Sequence, residues 1–256
     1  MNKQAYNLLW VRPDFAKQGE AFRQPIPSKT VENMRGIAIR NTGVDVRLWI
    51  DSGRMAESQM RWLRDMLGET PSGNMSLHDL RSIPEYNNQY LYNQCETSQE
   101  WRFNKHSLIW RQVDAARILV CLQGDYDQEF YSDADVTNLE INSEEVQSRL
   151  AKHGIILGGG IGDSGYAWYE NQLMGIDRRG RNFFRALYDR TVKEVMRGEN
   201  GYGAYIDLIN SELKRKMGID TKEIVFQSRY DGTVAQHPEG QSELSEGAFK
   251  PGESKE

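Results

Sequence analysis

Between residues 5 and 217 the chain alternates short apolar runs with longer segments of helical spacing, and this alternation restricts the fold more than any other feature. Ala5 to Val11 reads as a buried strand that Pro13 stops. Pro25 and Pro27 mark a loop, and Ser28 is placed to N-cap a helix over Lys29 to Arg40, where Val31, Met34, Ile37 and Ala38 share one face. Val44, Val46, Leu48 and Ile50 alternate with polar neighbours before Asp51-Ser52-Gly53, a strand followed by a turn. Ser58 to Leu67 has helical spacing, Thr70 to Asn74 is a loop, and Pro84 to Asn93 is irregular. Ser107 to Gln123 is a helix by pattern, Phe130 to Val136 a short strand, and Gly154 to Leu157 another. Asn182 to Arg197 and Tyr205 to Met217 close the series as helices. The alternation predicts an α/β domain over residues 1–235, with a sheet flanked by helices. Residues 236–256 carry few hydrophobic side chains and are expected to form a disordered tail.

One segment of this framework carries chemistry. In Tyr131-Ser132-Asp133-Ala134-Asp135-Val136 two carboxylates stand one residue apart after an apolar run. On an extended backbone residues i and i+2 face the same side, so the two acids repel unless a cation lies between them. A hard divalent ion, Mn²⁺ or Mg²⁺, takes carboxylate oxygens and keeps positions for substrate phosphates. Asp133 and Asp135 are therefore the expected metal ligands, at the strand end where α/β sheets place their ligands. Upstream, Asp114 and Arg117 stand three residues apart on the predicted helix and share a face. That pair is either a surface ion pair or a polar substrate clamp, Arg donating to phosphate oxygens and Asp accepting from hydroxyls.

Composition narrows the function classes. With 32 Lys and Arg against 37 Asp and Glu, the net charge is −5, without the basic field of a nucleic-acid binder. There are two cysteines, Cys95 and Cys121, the latter inside an apolar run, which points to a reducing compartment rather than a disulfide scaffold. No stretch reaches the roughly 18–20 apolar residues of a membrane span, and the first residues are too polar for a secretory leader. The expectation is a cytoplasmic protein, or one secreted into a host cell without an N-terminal signal peptide.

Asp-x-x-Arg, an apolar run and then Tyr-x-Asp-x-Asp resembles the signature of GT-A-fold glycosyltransferases that carry a DXD motif, in the branch of the large clostridial glucosylating toxins and related bacterial effectors. Leu8-Leu9-Trp10-Val11 is similar to the first strand of that family. Asn41 to Asp51, with Val46-Arg47-Leu48-Trp49-Ile50-Asp51, is similar to its second. The blocks run in order over about residues 5–175. The resemblance implies a Rossmann-like GT-A domain that moves glucose or N-acetylglucosamine from a UDP-sugar to a protein or glycan acceptor, with retention at the anomeric carbon. It implies that Trp10 stacks on uracil and that Asp114 and Arg117 hold sugar hydroxyls and the leaving diphosphate. Tyr131 would contact the nucleotide or phosphate, Asp133 the ribose or sugar, and Asp135 the metal. Glu170-Asn171-Gln172-Leu173 resembles a later family segment, which would turn Asn171 toward the sugar or acceptor. Ser228, Asp231 and His237 are candidates for a third metal ligand.

Three departures and one competing motif stand beside this reading, the first being that no clear C-terminal Ser-x-Trp or His segment completes the metal ligands. Gly124 to Phe130 is longer than the family's usual Gly-Gly pair, and Arg12-Pro13 follows the first strand where the family prefers Gly. Gly160-Ile161-Gly162-Asp163-Ser164-Gly165 matches G-x-G-x-x-G, so a dinucleotide-dependent oxidoreductase is the alternative, alongside an inactive nucleotide-sugar-binding module. A dinucleotide loop requires a strand before it and a helix after it. His106 and His153 follow no metal-ligand spacing, and Arg178-Arg179-Gly180-Arg181 reads as a solvated helix entry.

Overall fold

The computed structural model describes residues 3–11, 26–87, 113–134, 136, 139–161, 167–196 and 208–227. Seven strands form one sheet among them: β1 (Gln4–Trp10), β2 (Asp45–Ile50), β3 (Met75–Asp79), β4 (Gln128–Ser132), β5 (Ile155–Ile161), β6 (Ala167–Asp177) and β7 (Val225–Gln227). Their order is β3-β2-β1-β4-β6-β5-β7. β1 pairs in parallel with β2 and with β4, and β2 with β3, while β6 runs antiparallel between β4 and β5, and β7 is parallel to β5. The order reverses between β1 and β4, which opens a crevice at their carboxyl ends.

Helices cover both faces, as the strand alternation requires. α1 (Ser28–Arg40), α2 (Glu57–Gly68) and α5 (Glu144–His153) cover the face bearing Tyr6, Leu8, Trp10, Leu48 and Phe130. The short α3 (Pro84–Asn87), α4 (113–120) and α6 (Arg181–Met196) pack on the face bearing Leu9, Trp49, Tyr131 and Met174. Each inner strand thus buries both faces, the reason β1 and β2 read as nearly continuous apolar runs.

Several elements differ from the sequence expectations. Ser28 is the first residue of α1 rather than its cap; Pro27 holds that position and its carbonyl accepts from Val31. The predicted helix over 107–123 ends at residue 120, and its first six residues lie outside the described ones. Pro84 to Asn87 is a helical turn where an irregular stretch was expected. The last predicted helix is a π-helix, Ile209–Lys216. β3 was not predicted because it is an edge strand with every residue half-buried and only Met75 and Leu77 apolar. α5 was not predicted either, since only Val146 and Leu150 are buried on it. Its ends are nevertheless well specified. The Ser143 hydroxyl caps Val146 N–H at 3.5 Å, Glu144 and Glu145 open it, Lys152 and His153 close it, and Gly154 takes the left-handed C-cap with φ 73°. The predicted tail, residues 236–256, lies outside the described residues.

Beneath the crevice the sheet carries a buried polar layer. Glu129 on β4 is 1 % exposed and pairs with Arg47 on β2, which is 3 % exposed. Asn7 on β1, between them, donates to Glu129 at 3.0 Å and to the Phe130 carbonyl at 2.9 Å, and accepts from the Trp49 indole at 2.9 Å. Arg47 also donates to the Gln123 carbonyl, and Arg181 to the Gly124 carbonyl, both at 3.0 Å, which ties the exit of α4 and the start of α6 to the sheet. Burial pushes the Glu129 carboxyl up to about 7, against the pull of Arg47, Asn7 and Arg181. An acid whose value is higher in the fold than its ordinary 4.5 favours the fold when protonated. Its contribution is full below that value and is lost as the pH rises through about 7. Arg47→Met leaves Glu129 without its closest counter-charge. We expect it to cost about 3–5 kcal/mol at pH 7.5 and to steepen the loss of stability above pH 5, read from urea midpoints across pH.

Candidate active site

The crevice is built by α4, the end of β4 and an irregularity in β6. α4 carries Asp114 and Arg117 on one face, and buries Val113, Ala116 and Val120 against the sheet. β4 ends at Ser132, before Asp133, so the acidic segment is not the continuation of a strand. Asp133 N–H donates to the Gln172 carbonyl at 2.8 Å, and its own carbonyl accepts from Val136 N–H at 3.1 Å, closing a tight turn. This shortens the strand expected over Phe130 to Val136, which stops at Ser132. Asp135 itself lies outside the described residues, as do Ser228, Asp231 and His237.

β6 supplies the third wall. Along β5, Leu157 pairs with Met174 and the next residue, Gly158, pairs with Glu170. β6 therefore takes four steps where β5 takes one, and residues 171–173 form a bulge. The bulge lies opposite the end of β4, where Ser132 pairs with Leu173.

Five side chains from these elements meet. Arg117 donates through Nη2 to Asp133 Oδ2 at 3.0 Å and through Nη1 to Asn171 Oδ1 at 2.6 Å. Asn171 Nδ2 in turn donates to Asp114 Oδ1 at 2.7 Å. The Tyr131 hydroxyl donates to Asp133 Oδ1 at 2.5 Å, and the guanidinium lies 5.9 Å from the Tyr131 ring centre. The structure thus brings together Asp114, Arg117, Tyr131, Asp133 and Asn171, all five of which the sequence had singled out. The Asp114 and Arg117 pair is not the solvated ion pair of its alternative reading, since Arg117 is 8 % exposed.

The charges tune one another. Burial alone would lower the Arg117 guanidinium, but Asp133, Tyr131 and Asp114 outweigh it and hold the charge firmly in place. Burial raises the Asp114 carboxyl above the ordinary range, opposed by Arg117 and by the Asn171 hydrogen bond. Burial raises the Tyr131 phenol as well, so it remains a hydrogen-bond donor.

Trp10 ends β1 on the other face of the sheet, packed with α1 and α2 residues and 7 % exposed. Its indole N–H is shielded from solvent and has no hydrogen-bond partner among the described residues. It does not join the Arg117 network. Asp51, the last residue of the second family-like block, is fully committed: it accepts from Gly53 N–H, Arg54, Arg81 and the Tyr86 hydroxyl. Its work is to brace the exit of β2.

No group of three or more His, Cys, Asp or Glu side chains converges among the described residues. Both carboxylate oxygens of Asp133 already accept a hydrogen bond, which suits a carboxylate orienting a neighbouring ligand better than one holding an ion by itself.

The dinucleotide alternative does not match the fold. Gly158, Gly159 and Gly160 are paired residues of β5, not a flexible loop, and the next described element is the antiparallel strand β6. A strand–loop–helix unit is what the fingerprint needs, and a hairpin stands in its place. His153 pairs with Glu223 at 2.6 Å and ties α5 to the segment before β7.

Comparison with solved structures places this architecture. The chain is similar to "PaToxG Glycosyltransferase", with a TM-score of 0.56 and 15 % identity over 87 % of this chain and 73 % of that one. It is similar to a protein described as "Structure of Transferase", with a TM-score of 0.57 and 13 % identity over 88 % and 91 %. It is also similar to the bacterial N-acetylglucosamine transferase NleB, with a TM-score of 0.52 and 13 % identity over 88 % and 92 %. The fold is GT-A. No family model matches the chain, and no curated protein matches it in sequence. Among the described residues no helix is long and apolar enough to cross a membrane.

The network predicts its own response to mutation. Arg117→Met leaves the Asp114 and Asp133 carboxylates facing each other without a cation. We expect a loss of about 3–5 kcal/mol at pH 7.5. The loss should shrink as the pH falls, because protonating either acid relieves the repulsion; thermal melts at pH 7.5 and 4.5 measure it.

Proposed function

We propose that this chain is a metal-dependent, retaining glycosyltransferase that moves glucose or N-acetylglucosamine from a UDP-sugar to a protein acceptor. The observation that carries the proposal is the convergence of Asp114, Arg117, Tyr131, Asp133 and Asn171 at the carboxyl end of β4 in a GT-A fold. The fold alone would not assign a reaction, since one fold hosts many. The site adds a buried guanidinium aimed by two carboxylates and an amide, which suits a diphosphate leaving group and a sugar ring.

Charge supports a cation. Two carboxylates and one guanidinium give the described cluster a net charge of −1 by formal count, and the diphosphate of a UDP-sugar is itself an anion. Bringing them together requires a further positive charge. Asp135, beside the turn at Asp133, would hold Mn²⁺ or Mg²⁺, with Asp133 oriented by Tyr131 and Arg117 next to it. When bound, that ion supplies Lewis-acid stabilisation of the charge on the leaving diphosphate.

The remaining roles belong to the chain. Arg117 donates to the departing phosphate oxygens as the bond from the anomeric carbon to oxygen breaks. Asp114 accepts from a sugar hydroxyl and fixes the ring. The acceptor oxygen bonds the anomeric carbon from the face the diphosphate leaves, and the acceptor proton passes to the departing phosphate oxygen. Trp10, the last residue of β1, would stack on the base, and its indole N–H lacks a partner among the described residues. With no basic field on the chain, a nucleotide is recognised by such local contacts rather than by bulk charge. The likeness to PaToxG and NleB supports a bacterial effector-type transferase.

Calorimetry with UDP tests the donor site. We expect binding that requires Mn²⁺ and is lost in Asp133→Ala and Asp135→Ala. Trp10→Ala should weaken it by about 1–3 kcal/mol if the ring stacks on the base. Slow hydrolysis of UDP-glucose or UDP-N-acetylglucosamine without acceptor separates an enzyme from an inert binding module. Metal-indifferent binding of NAD(P)H, with none of UDP, would overturn the proposal.

A further inference from the structure

The bulge in β6 has a purpose that the family resemblance does not assign. The resemblance turns Asn171 toward sugar or acceptor, whereas both ends of its amide are engaged within the protein. Nδ2 donates to Asp114 at 2.7 Å and Oδ1 accepts from Arg117 at 2.6 Å. Asp114 and Arg117 approach each other only to 3.5 Å and make no hydrogen bond of ordinary length, although they lie on adjacent turns of one helix. Their mutual orientation therefore runs through Asn171. The residue is delivered by an excess of three residues in β6, and Gln172 in the same bulge holds the Asp133 main chain at 2.8 Å.

We infer that Asn171 is a positioning residue that fixes Asp114 and Arg117 in one plane for the donor, and that the bulge at 171–173 exists to place it. The inference rests on the donor-site reading above and deepens it. A guanidinium donates in fixed directions, and two of those directions are taken by Asp133 from β4 and Asn171 from β6. The rotation of Arg117 is thereby removed before substrate arrives, which is how a preorganised site avoids reorganising during reaction. Asp114 gains a donor that favours its ionised form, in a setting where burial disfavours it. Among the described residues the charged group that faces Asp114 is Arg117 on its own helix, which also pairs with Asp133, itself hydrogen-bonded by the Tyr131 hydroxyl.

Two variants test this. Asn171→Ala removes both hydrogen bonds. Asn171→Asp has nearly the same shape, keeps an acceptor for Arg117 and replaces the donor to Asp114 with a repelling carboxylate. We expect both to melt close to the parent protein and to lower kcat for UDP-sugar hydrolysis by about 10–100-fold, with a far smaller change in donor KM. The acid limb of kcat/KM should move to higher pH, further for Asn171→Asp than for Asn171→Ala. Carbon-13 NMR titration of the Asp114 carboxyl reads the same shift without any catalysis. An Asp114 titration that is unchanged in both folded variants overturns the inference, whether or not the protein hydrolyses a UDP-sugar. A parent protein that hydrolyses no UDP-sugar and binds no UDP overturns the donor-site reading instead, and the NMR titration still decides the link between Asn171 and Asp114.

Discussion

Arg117 joins three elements: α4 from above the sheet, the turn after β4, and the bulge in β6, the last two also linked by the main-chain bond from Asp133 to Gln172. A buried guanidinium is costly unless it is paired, and here a carboxylate and an amide take its two Nη ends beside the Tyr131 ring, while Nε has no acceptor among the described residues. The cost makes the arrangement selective. If α4 shifted along its axis, or the bulge moved by one residue, a buried donor would face no acceptor. The interaction thus ties the geometry of the crevice to the packing of the domain, and a local polar contact takes on the rigidity of the core.

The layer beneath works by the same logic. Asn7, Arg47 and Glu129 occupy neighbouring positions on β1, β2 and β4, in a sheet whose other inner residues are mostly apolar. An apolar trio would pack there with no desolvation cost. The polar trio instead specifies register: sliding β4 by one residue would point Glu129 at the opposite face, away from Arg47. It also reaches outward, because Arg47 and Arg181 hold carbonyls at the exit of α4. That exit determines where Asp114 and Arg117 stand. The longer loop from Gly124 to Phe130, a departure from the family pattern, is accommodated by these two arginines and by the Tyr126 ring, which lies 4.6 Å below the Arg47 guanidinium.

What the sequence disclosed follows from the range of the physics involved. β1, β2, α1, α2 and α6 were legible because their apolar spacing is local, and each was read to within a residue or two at either end. Asp114, Arg117, Tyr131 and Asp133 were legible as residues because helix and strand periodicity place such types on one face. Their actual contacts were not, since Tyr131 and Arg117 each meet Asp133 through tertiary geometry. Asn171 was visible only through a family-like tetrapeptide, and its engagement with Asp114 depends on a bulge that leaves no periodic trace. The Gly-rich run misled for a related reason: glycine marks both phosphate loops and strands that another backbone approaches closely, and here it belongs to β5. β3 and β7 were missed because edge strands need little hydrophobicity.

The reversed strand is the step that links fold to site. Had β6 run parallel to β4, its carboxyl end would lie with the others and its middle would be ordinary sheet. Running antiparallel, it passes the end of β4 in mid-strand, where both neighbours can pin it. A bulge at that place costs little, because the pairing resumes on both sides: Ser132 with Leu173, and Gly158 with Glu170. The excess residues can therefore project into the crevice from a rigid element rather than from a loop. Side chains placed this way keep their positions more closely than loop side chains do, which is what a site requires when its charged groups must hold still while a sugar–phosphate bond breaks.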